Sequence, residues 1–333
     1  MRIGDVGEFP VIERMAEIVG RTRPDVAVGI GDDAAALDLG GEDLILLTVD
    51  SQVEGRHFVR DRTEPQLLGR RLLAVNASDI AAMGGRPTHA VVSVVLPPEL
   101  ELAWVEALCT GLALEADQLG IGVVGGNVAR SGDGIVLDLA LVGRVARGRL
   151  LTRGGAKVGD LVLVTGALGE AAAGLYLSEH PEVAEADREA LLARHLAPTP
   201  RVAEGQLIAA SGLATAMIDL SDGLAGDVAH VCDRSGVGVR IHAPSLPVSP
   251  GVERVAARMG KQRWELALFG GEDFELVFTV PPDAADGLAA RVSAEAGTPA
   301  SVVGEVLPAG AGRWLVLPDG HEVPLEPRGF THF

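Results

Sequence analysis

Acidic residues recur in this chain beside glycine-rich turns and at the ends of apolar runs. The first stretch is Gly29-Ile30-Gly31-Asp32-Asp33, which is followed by three alanines. Four more stretches repeat the design, namely Thr48-Val49-Asp50, Asn76-Ala77-Ser78-Asp79, Gly125-Gly126-Asn127 and Asp219-Leu220-Ser221-Asp222-Gly223. Adjacent carboxylates repel each other, so a chain keeps them at its surface or around a cation. We interpret the five stretches as one site, which requires a fold that brings distant turns together.

Length and composition favour a folded protein of two domains. The chain has 333 residues, of which 47% are hydrophobic, and its formal net charge is −18. This charge makes nucleic acid and anionic membranes poor partners. Residues 1–5 lack the apolar segment of a signal peptide, and no apolar run is long enough to span a membrane. We therefore expect a cytoplasmic enzyme.

The apolar pattern predicts an α+β fold. Residues 43–145 fit the order β-α-β-α-β-β, with strands at 43–50, 89–96, 121–126 and 134–145 and helices at 65–84 and 98–120. The second half alternates apolar runs such as 160–165, 214–219 and 237–242 with helical segments such as 224–235. We place the domain boundary after residue 146, which gives domains 1–146 and 147–333.

The recurrent carboxylates predict a magnesium site. Oxygen ligands suit hard cations, and no His/Cys cluster has zinc spacing. The candidate ligands are the hydroxyl of Thr48 and the carboxylates of Asp33, Asp50, Asp79, Asp219 and Asp222. Several magnesium ions beside glycine-rich turns suggest a polyphosphate ligand, which Arg153 could contact. Each aspartate taken alone is equally explained as a turn or helix cap.

Lysine usage excludes the commonest phosphate-binding loop. The chain has only Lys157 and Lys261, and neither lies in G-x-x-x-x-G-K-[ST]. The protein-kinase signatures are also missing. Phosphate chemistry in this chain must therefore rely on metal ions and arginine.

Six motifs together resemble the thiamine-monophosphate kinase family. They are G-I-G-D-D-A-A, T-V-D-x-x-V-E-G-x-H-F, N-A-S-D-I-A-A-M-G-G-x-P, D-L-S-D-G-L, G-G-E-D-F-E-L and the terminal G-F-x-H-F. The first and fourth motifs indicate only the wider aminoimidazole ribonucleotide synthetase-like superfamily. The motifs that contain E-G-x-H-F and G-F-x-H-F narrow the resemblance to the thiamine-monophosphate kinases. The resemblance implies a two-domain PurM-like ATP-binding fold. It also implies magnesium-dependent transfer from ATP to thiamine monophosphate, the last step of thiamine diphosphate synthesis, in a homodimer that pairs its N-terminal domains.

The resemblance assigns roles to residues of each motif. It implies magnesium ligands at Asp33, Thr48, Asp50, Asp79, Asn127, Asp219 and Asp222, of which Asp33 and Asp222 are expected to be catalytic. ATP contacts are implied for Gly126, Asn127, Arg153 and Ser221, and substrate contacts for His57, Glu272 and Phe330. Without the resemblance, Phe330 is equally a terminal anchor, Glu272 a turn residue and His57 an ordinary loop histidine.

One motif departs from the family pattern. The family usually has G-G-D where this chain has Gly125-Gly126-Asn127. Asparagine keeps a carbonyl oxygen but loses the charge, so we expect one magnesium site to bind more weakly. The alternative reading is a catalytically weak or degenerate member of the superfamily that still binds nucleotide and metal. Selenophosphate synthetase is disfavoured because residues 1–60 contain neither cysteine nor lysine.

Overall fold

The computed structural model describes Asp5, residues 8–20 and residues 23–329. Over this part the chain forms ten α-helices and thirteen strands. The helices are α1 (Glu8–Val19), α2 (Pro65–Ala82), α3 (Leu102–Leu119), α4 (Glu170–Glu179), α5 (Arg188–Leu196), α6 (Val202–Ser211), α7 (Leu224–Ser235), α8 (Pro250–Arg258), α9 (Arg263–Phe269) and α10 (Pro282–Ala296). None of the described helices is both long enough and apolar enough to cross a bilayer.

The strands form two separate sheets. Strands β1 (Val26–Val28), β2 (Ala35–Leu37), β3 (Asp43–Val53), β4 (Arg86–Leu96), β5 (Gly122–Arg130) and β6 (Val136–Ala146) form the first sheet, in the order β1-β2-β3-β6-β4-β5. Strands β7 (Leu161–Thr165), β8 (Ala216–Asp219), β9 (Val237–His242), β10 (Leu276–Val280), β11 (Ala300–Pro308), β12 (Arg313–Val316) and β13 (Glu322–Pro324) form the second, in the order β13-β12-β9-β11-β7-β10-β8. The predicted α+β class and the order β-α-β-α-β-β are confirmed.

The first sheet is covered by helices on one face only. Burial alternates residue by residue along β3 and β6, so each strand has one buried and one outward face. Helices α2 and α3 pack closely over the buried face, because a Cβ on Gly111 would lie 1.7 Å from the carbonyl oxygen of Gln66. The opposite face carries Leu47, Val49 and Val91, which are 42%, 62% and 45% exposed. The described residues leave this apolar face open.

Helix α2 joins the two halves of the molecule. Proline at its first position fixes the entry of the helix, and most of its length is buried. It packs on α3 and β3 in the first half and on α6 and β8 in the second. Strand β8 is an edge strand of the second sheet and ends at Asp219. The polar residues near the C-terminal end of α2 therefore lie against the acidic end of β8.

Several predicted boundaries were wrong for physical reasons. Strand β5 does not stop at the glycine pair but runs on to Arg130, and a Cβ on Gly126 would lie 2.0 Å from the carbonyl oxygen of Val92. Glycine there permits close pairing with β4 and does not end the strand. Strand β3, which was predicted to end at residue 50, continues and pairs with β6 through Val53. Helix α9 was missed although Gln262 and Glu265 form a capping box at its start.

Candidate active site

A cleft of about 1790 Å³ lies where α2, β3 and β8 meet. Both halves of the chain line it. The cleft gathers most of the predicted site residues, namely Asp33, Thr48, Asp50, His57, Asp79, Arg153, Asp219, Ser221, Asp222 and Glu272. Gly126 and Asn127 do not line it, and Phe330 lies outside the described residues. The interpretation of distant turns as parts of one site therefore agrees with the geometry for four of the five stretches.

Three carboxylates form the acidic centre of this cleft. Oxygen atoms of Asp33, Asp79 and Asp219 lie within 4.8 Å of one another. Two hydroxyl groups fix this arrangement, since Thr48 Oγ1 donates to Asp79 Oδ2 at 2.5 Å and Ser78 Oγ donates to Asp219 Oδ2 at 2.7 Å. Loop, helix and strand each supply one carboxylate, so the cluster exists only in the folded chain.

The electrostatics of these carboxylates fit a bound cation. Burial, followed by repulsion from Asp33, raises the pKa of Asp219 to about 8. Burial, then repulsion from Asp50 and Asp219, raises the pKa of Asp79 well above its usual range. Oδ2 of Asp33 is buried and accepts no hydrogen bond from the described residues. A set of oxygen ligands that includes a buried acceptor without a hydrogen-bond donor suits magnesium. Its positive charge would offset the repulsion between the carboxylates.

Arg153 orients the side chain of Asp33 by hydrogen bonds to one of its two carboxylate oxygens. The guanidinium of Arg153 donates to Asp33 Oδ1 from Nε at 3.0 Å and from Nη2 at 2.5 Å. Its backbone N–H donates to both carboxylate oxygens of Asp32 at 3.3 Å. Burial, followed by the charge of Asp33, raises the pKa of Asp32 to about 6. Arg153 thus fixes the acidic loop and occupies Oδ1 of Asp33, which leaves Oδ2 without a donor among the described residues, while its predicted contact with ATP stays a prediction.

Asn76 has a structural part in this site. Its side chain is fully buried, its Oδ1 accepts the backbone N–H of Asp50 at 3.0 Å, and its Nδ2 donates to the carbonyl oxygen of Leu72 at 2.9 Å. The amide therefore fixes β3 against α2 at the position of Asp50. Asp222 is half-buried on the opposite wall, where the next residue, Gly223, donates its N–H to Asp227 Oδ2 at 3.0 Å.

The glycine-rich loop before β10 forms the far wall of the cleft. Glu272 and Phe274 adopt positive φ angles of 68° and 49°, which is strained for residues other than glycine. Their N–H groups donate to the carbonyl oxygens of Ser221 at 2.7 Å and Leu220 at 2.9 Å. The next acid, Asp273, points away and accepts the N–H groups of Gly169 and Ala171 at the start of α4. Of the two acids, Glu272 lines the cleft.

His57 and the end of the described chain complete the wall. His57 Nδ1 accepts the N–H of Val53 at 3.0 Å, which assigns the proton of a neutral ring to Nε2. A Cβ on Gly329 would lie 2.7 Å from the carbonyl oxygen of Asp222, so the described chain ends beside this acid.

Asn127 lies on the open face of the first sheet. It pairs in register with Ser93, which pairs with Asp138, which pairs with Ser51. These four residues form a polar row across an apolar face. Asp50 is the chain neighbour of Ser51. Because side chains alternate along β3, the row and the side chain of Asp50 lie on opposite faces of the sheet.

Sequence reasoning missed three residues that shape the cleft. Ser78 stands inside the Asn-Ala-Ser-Asp motif, directly before Asp79, so its place in this motif was an available signal. Arg71 and His195 contact Glu272 from α2 and α5. No local pattern distinguishes these two from ordinary helical residues, because their partner is distant in sequence.

Comparisons with known proteins agree with this architecture. The family models described as AIR synthase related protein, N-terminal domain and C-terminal domain, match residues 31–145 and 157–315. The thiamine-monophosphate kinase of Escherichia coli K12 is 38% identical over 329 residues, which cover 98% of each chain. That of Bacillus subtilis is 33% identical and covers 92% of this chain and 94% of its own.

Solved structures share the fold. The structure described as AaThiL complexed with AMPPCP and TMP superposes with a TM-score of 0.87 at 36% identity, covering 100% of this chain and 99% of the other. The hydrogenase maturation protein HypE in complex with ATP gives a TM-score of 0.70 at 18% identity, covering 94% and 93%. The latter likeness shows the fold alone. The two-domain PurM-like architecture predicted from the sequence is confirmed.

Proposed function

The chain belongs to the AIR synthase related family and, within it, to the thiamine-monophosphate kinases, and we propose that it transfers the γ-phosphoryl group of ATP to thiamine monophosphate. The products are thiamine diphosphate and ADP. One observation carries the proposal, namely the cleft in which carboxylates from both halves of the chain converge and which Glu272 also lines. Since thiamine diphosphate is the coenzyme form, this reaction is the last step of its synthesis. We propose a cytoplasmic location.

The acidic cluster is proposed to hold magnesium. Asp33, Asp79 and Asp219 are the central ligands, and Thr48, Asp50 and Asp222 line the same cleft. Magnesium in this cleft supplies positive charge that stabilises the phosphoryl oxygens during in-line transfer. Ser78 and Thr48 orient the ligand oxygens, and Arg153 fixes the loop that carries Asp33.

The acceptor needs little activation. A phosphate monoester is largely a dianion at neutral pH, so no strong general base is required. His57, which lines the cleft, is proposed to contact that phosphate. Glu272 is proposed to contact the thiamine moiety, and Ser221, Gly126 and Asn127 the nucleotide. Phe330, proposed to stack on a thiamine ring, lies outside the described residues.

A homodimer is proposed to form through the open face of the first sheet. A sheet with one uncovered apolar face needs a partner, and a second copy of the chain supplies the same surface. Leu47, Val49 and Val91 give this face its apolar character. The polar row that ends at Asn127 would then lie near the interface, which brings the proposed nucleotide contacts to that region.

Product analysis by chromatography tests the function. Purified protein is incubated with ATP and magnesium, with thiamine monophosphate or free thiamine as the acceptor. We expect thiamine diphosphate from the monophosphate and no product from free thiamine. The substitution at Asn127 favours one alternative, a degenerate member that binds ATP without turnover. Bound ATP with no product at any magnesium concentration would establish that alternative.

A further inference from the structure

Arg71 is a buried cation at the junction of the two halves. Its side chain is 3% exposed, although it lies on α2 next to the cleft. Its Nε donates to Gln52 Oε1 at 3.0 Å, and its two terminal nitrogens donate to the carbonyl oxygen of His195 and to Glu272 Oε1. Two of these three acceptors belong to the second half of the chain.

A buried charge needs compensation, because removing a cation from water costs several kcal/mol. Among the described residues, Glu272 is the carboxylate within ion-pair distance of Arg71. The energetic cost of burying Arg71 is therefore offset mainly at Glu272. The guanidinium is itself fixed, because its other two donors bind Gln52 and the carbonyl oxygen of His195, so the donor that faces Glu272 Oε1 has a set position.

His195 lies beside the other carboxylate oxygen of Glu272. Its Nδ1 lies 3.4 Å from Glu272 Oε2, and this buried nitrogen forms no hydrogen bond within the described residues. The backbone of Glu272 is held at a φ of 68° by the hydrogen bond from its N–H to Ser221. Glu272 is thus held at its backbone and at Oε1, while 29% of its side chain stays exposed.

We propose that Arg71 is a positioning residue for the acceptor substrate, holding Glu272 as a hydrogen-bond acceptor for an N–H donor on a heteroaromatic ring. This inference rests on the proposed function, in which the ring is the aminopyrimidine of thiamine monophosphate. A carboxylate has about four acceptor positions. Arg71 bonds to Oε1 and His195 lies near Oε2, which leaves acceptor positions for a ligand, since Glu272 lines the cleft and is 29% exposed.

The same geometry argues against Glu272 as a counter-ion for the thiazolium ring. Glu272 and Arg71 carry opposite charges in direct contact, so the pair is neutral as seen by a third charge farther away. A thiazolium cation would gain little net attraction from it. The amino group of the pyrimidine would gain a directed hydrogen bond, which depends on the orientation of the carboxylate and is lost when that orientation is lost.

The experiment compares wild type, Arg71→Met, Arg71→Lys and Arg70→Met. Arg70 is the matched control, because it is adjacent on α2 and forms an ion pair with Glu115, which lies on α3. Kinetic constants are measured for ATP, for thiamine monophosphate and for oxythiamine monophosphate, in which oxygen replaces the pyrimidine amino group.

We expect Arg71→Met to raise KM for thiamine monophosphate by about 10- to 100-fold, while KM for ATP and kcat change less than about threefold. Wild type should prefer the amino acceptor over the oxy analogue by about tenfold or more, and Arg71→Met should lose most of that preference. Arg71→Lys, which keeps the charge, should recover part of it. Arg70→Met should behave as wild type.

Three outcomes would overturn the inference. One is an unchanged preference for the amino acceptor in both Arg71 variants. Another is an equal rise of KM for ATP and for the acceptor, which indicates general disruption. The third is an effect of Arg70→Met as large as that of Arg71→Met. If Arg71→Met does not fold, the preference measured for Arg71→Lys decides. No thiamine diphosphate from wild type would instead overturn the proposed function itself.

Discussion

Ser78 Oγ donates a hydrogen bond of 2.7 Å to Asp219 Oδ2, and this contact joins the two halves of the protein at the acidic cluster. Ser78 lies on α2 under the first sheet, and Asp219 ends β8 in the second. Both are almost fully buried, at 0% and 2% exposure. The position of one proposed magnesium ligand is therefore set by the packing of α2 against β8, so the geometry of the cluster depends on how the two sheets are placed.

Replacing Ser78 with alanine should weaken both the site and the fold. A buried carboxylate oxygen would lose its donor, so we expect the free energy of unfolding to fall by about 1–3 kcal/mol. Half-saturation of turnover by magnesium should need a severalfold higher concentration. Thermal unfolding and magnesium titration check these two effects. Ser178→Ala, which removes an exposed hydroxyl bonded to Leu175, is the control. Wild-type magnesium dependence in Ser78→Ala would contradict this role.

Stability without metal should fall as pH rises. The pKa of Asp219 is about 8 in the folded chain, against an ordinary value of 3.8. Between these values the folded state holds a proton that the unfolded state has released, so unfolding becomes easier with increasing pH. Magnesium competes with that proton, and its stabilising effect should be larger at pH 8 than at pH 6. Melting temperatures with and without magnesium at both pH values measure this.

The Asp219→Asn variant serves as the control for the pH dependence. It cannot ionise at this position, so its metal-free melting temperature should fall less between pH 6 and pH 8 than that of wild type. Equal shifts by magnesium at both pH values in wild type would show that protons and magnesium do not compete at the cluster.

Asn127→Asp should lower the magnesium requirement. Asparagine offers a neutral oxygen where the family pattern has a carboxylate, and a charged ligand binds magnesium more strongly. We expect half-saturation of turnover at a lower magnesium concentration in the variant, with kcat changed little. Asp133→Asn, an exposed change in the loop after β5, is a comparison. The hypothesis fails if the native protein and Asn127→Asp reach half-saturation at the same magnesium concentration.

The open face of the first sheet should carry the dimer. Val91→Lys places a charge at the centre of this face, where burial against a second copy would be costly. Light scattering should show a dimer for wild type and a monomer for the variant. Val158→Lys changes a valine that is 58% exposed in the second half and should stay dimeric. A monomeric wild type at micromolar concentration would exclude this assembly.

The sequence was sufficient for the central elements of the fold. The order of strands and helices between residues 43 and 145 follows from apolar periodicity, and the helix predicted at residues 224–235 matches α7. The glycine pair before Asn127 led to a wrong end for β5, because glycine marks a turn in most contexts. Here it permits close pairing of β5 with β4. Short strands such as β1 and β13 carry too few residues for a periodic signal.

The candidate site could be predicted only in part. Asp33 and Asp219 could be identified because one follows a glycine-rich turn and the other ends an apolar run, whereas Asp79 lies within a helix beside other polar residues. Their mutual distance could not be predicted, since Asp33, Asp79 and Asp219 meet only through the packing of α2 on β8. Arg71 had no sequence signal at all, because its role depends on Glu272, which is 201 residues away. Tertiary contacts of this kind become visible only in the folded chain.

The rate of thiamine diphosphate formation by Asp33→Asn tests the central claim most directly. The variant keeps the shape of the side chain but removes the charge of a carboxylate that belongs to the acidic cluster. Asp38→Asn is the matched control, since Asp38 is exposed and pairs with Arg147. We predict that wild type and Asp38→Asn convert thiamine monophosphate at similar rates, while Asp33→Asn is slower by about 100-fold or more. Equal rates for all three proteins, or no product from wild type, would contradict the account.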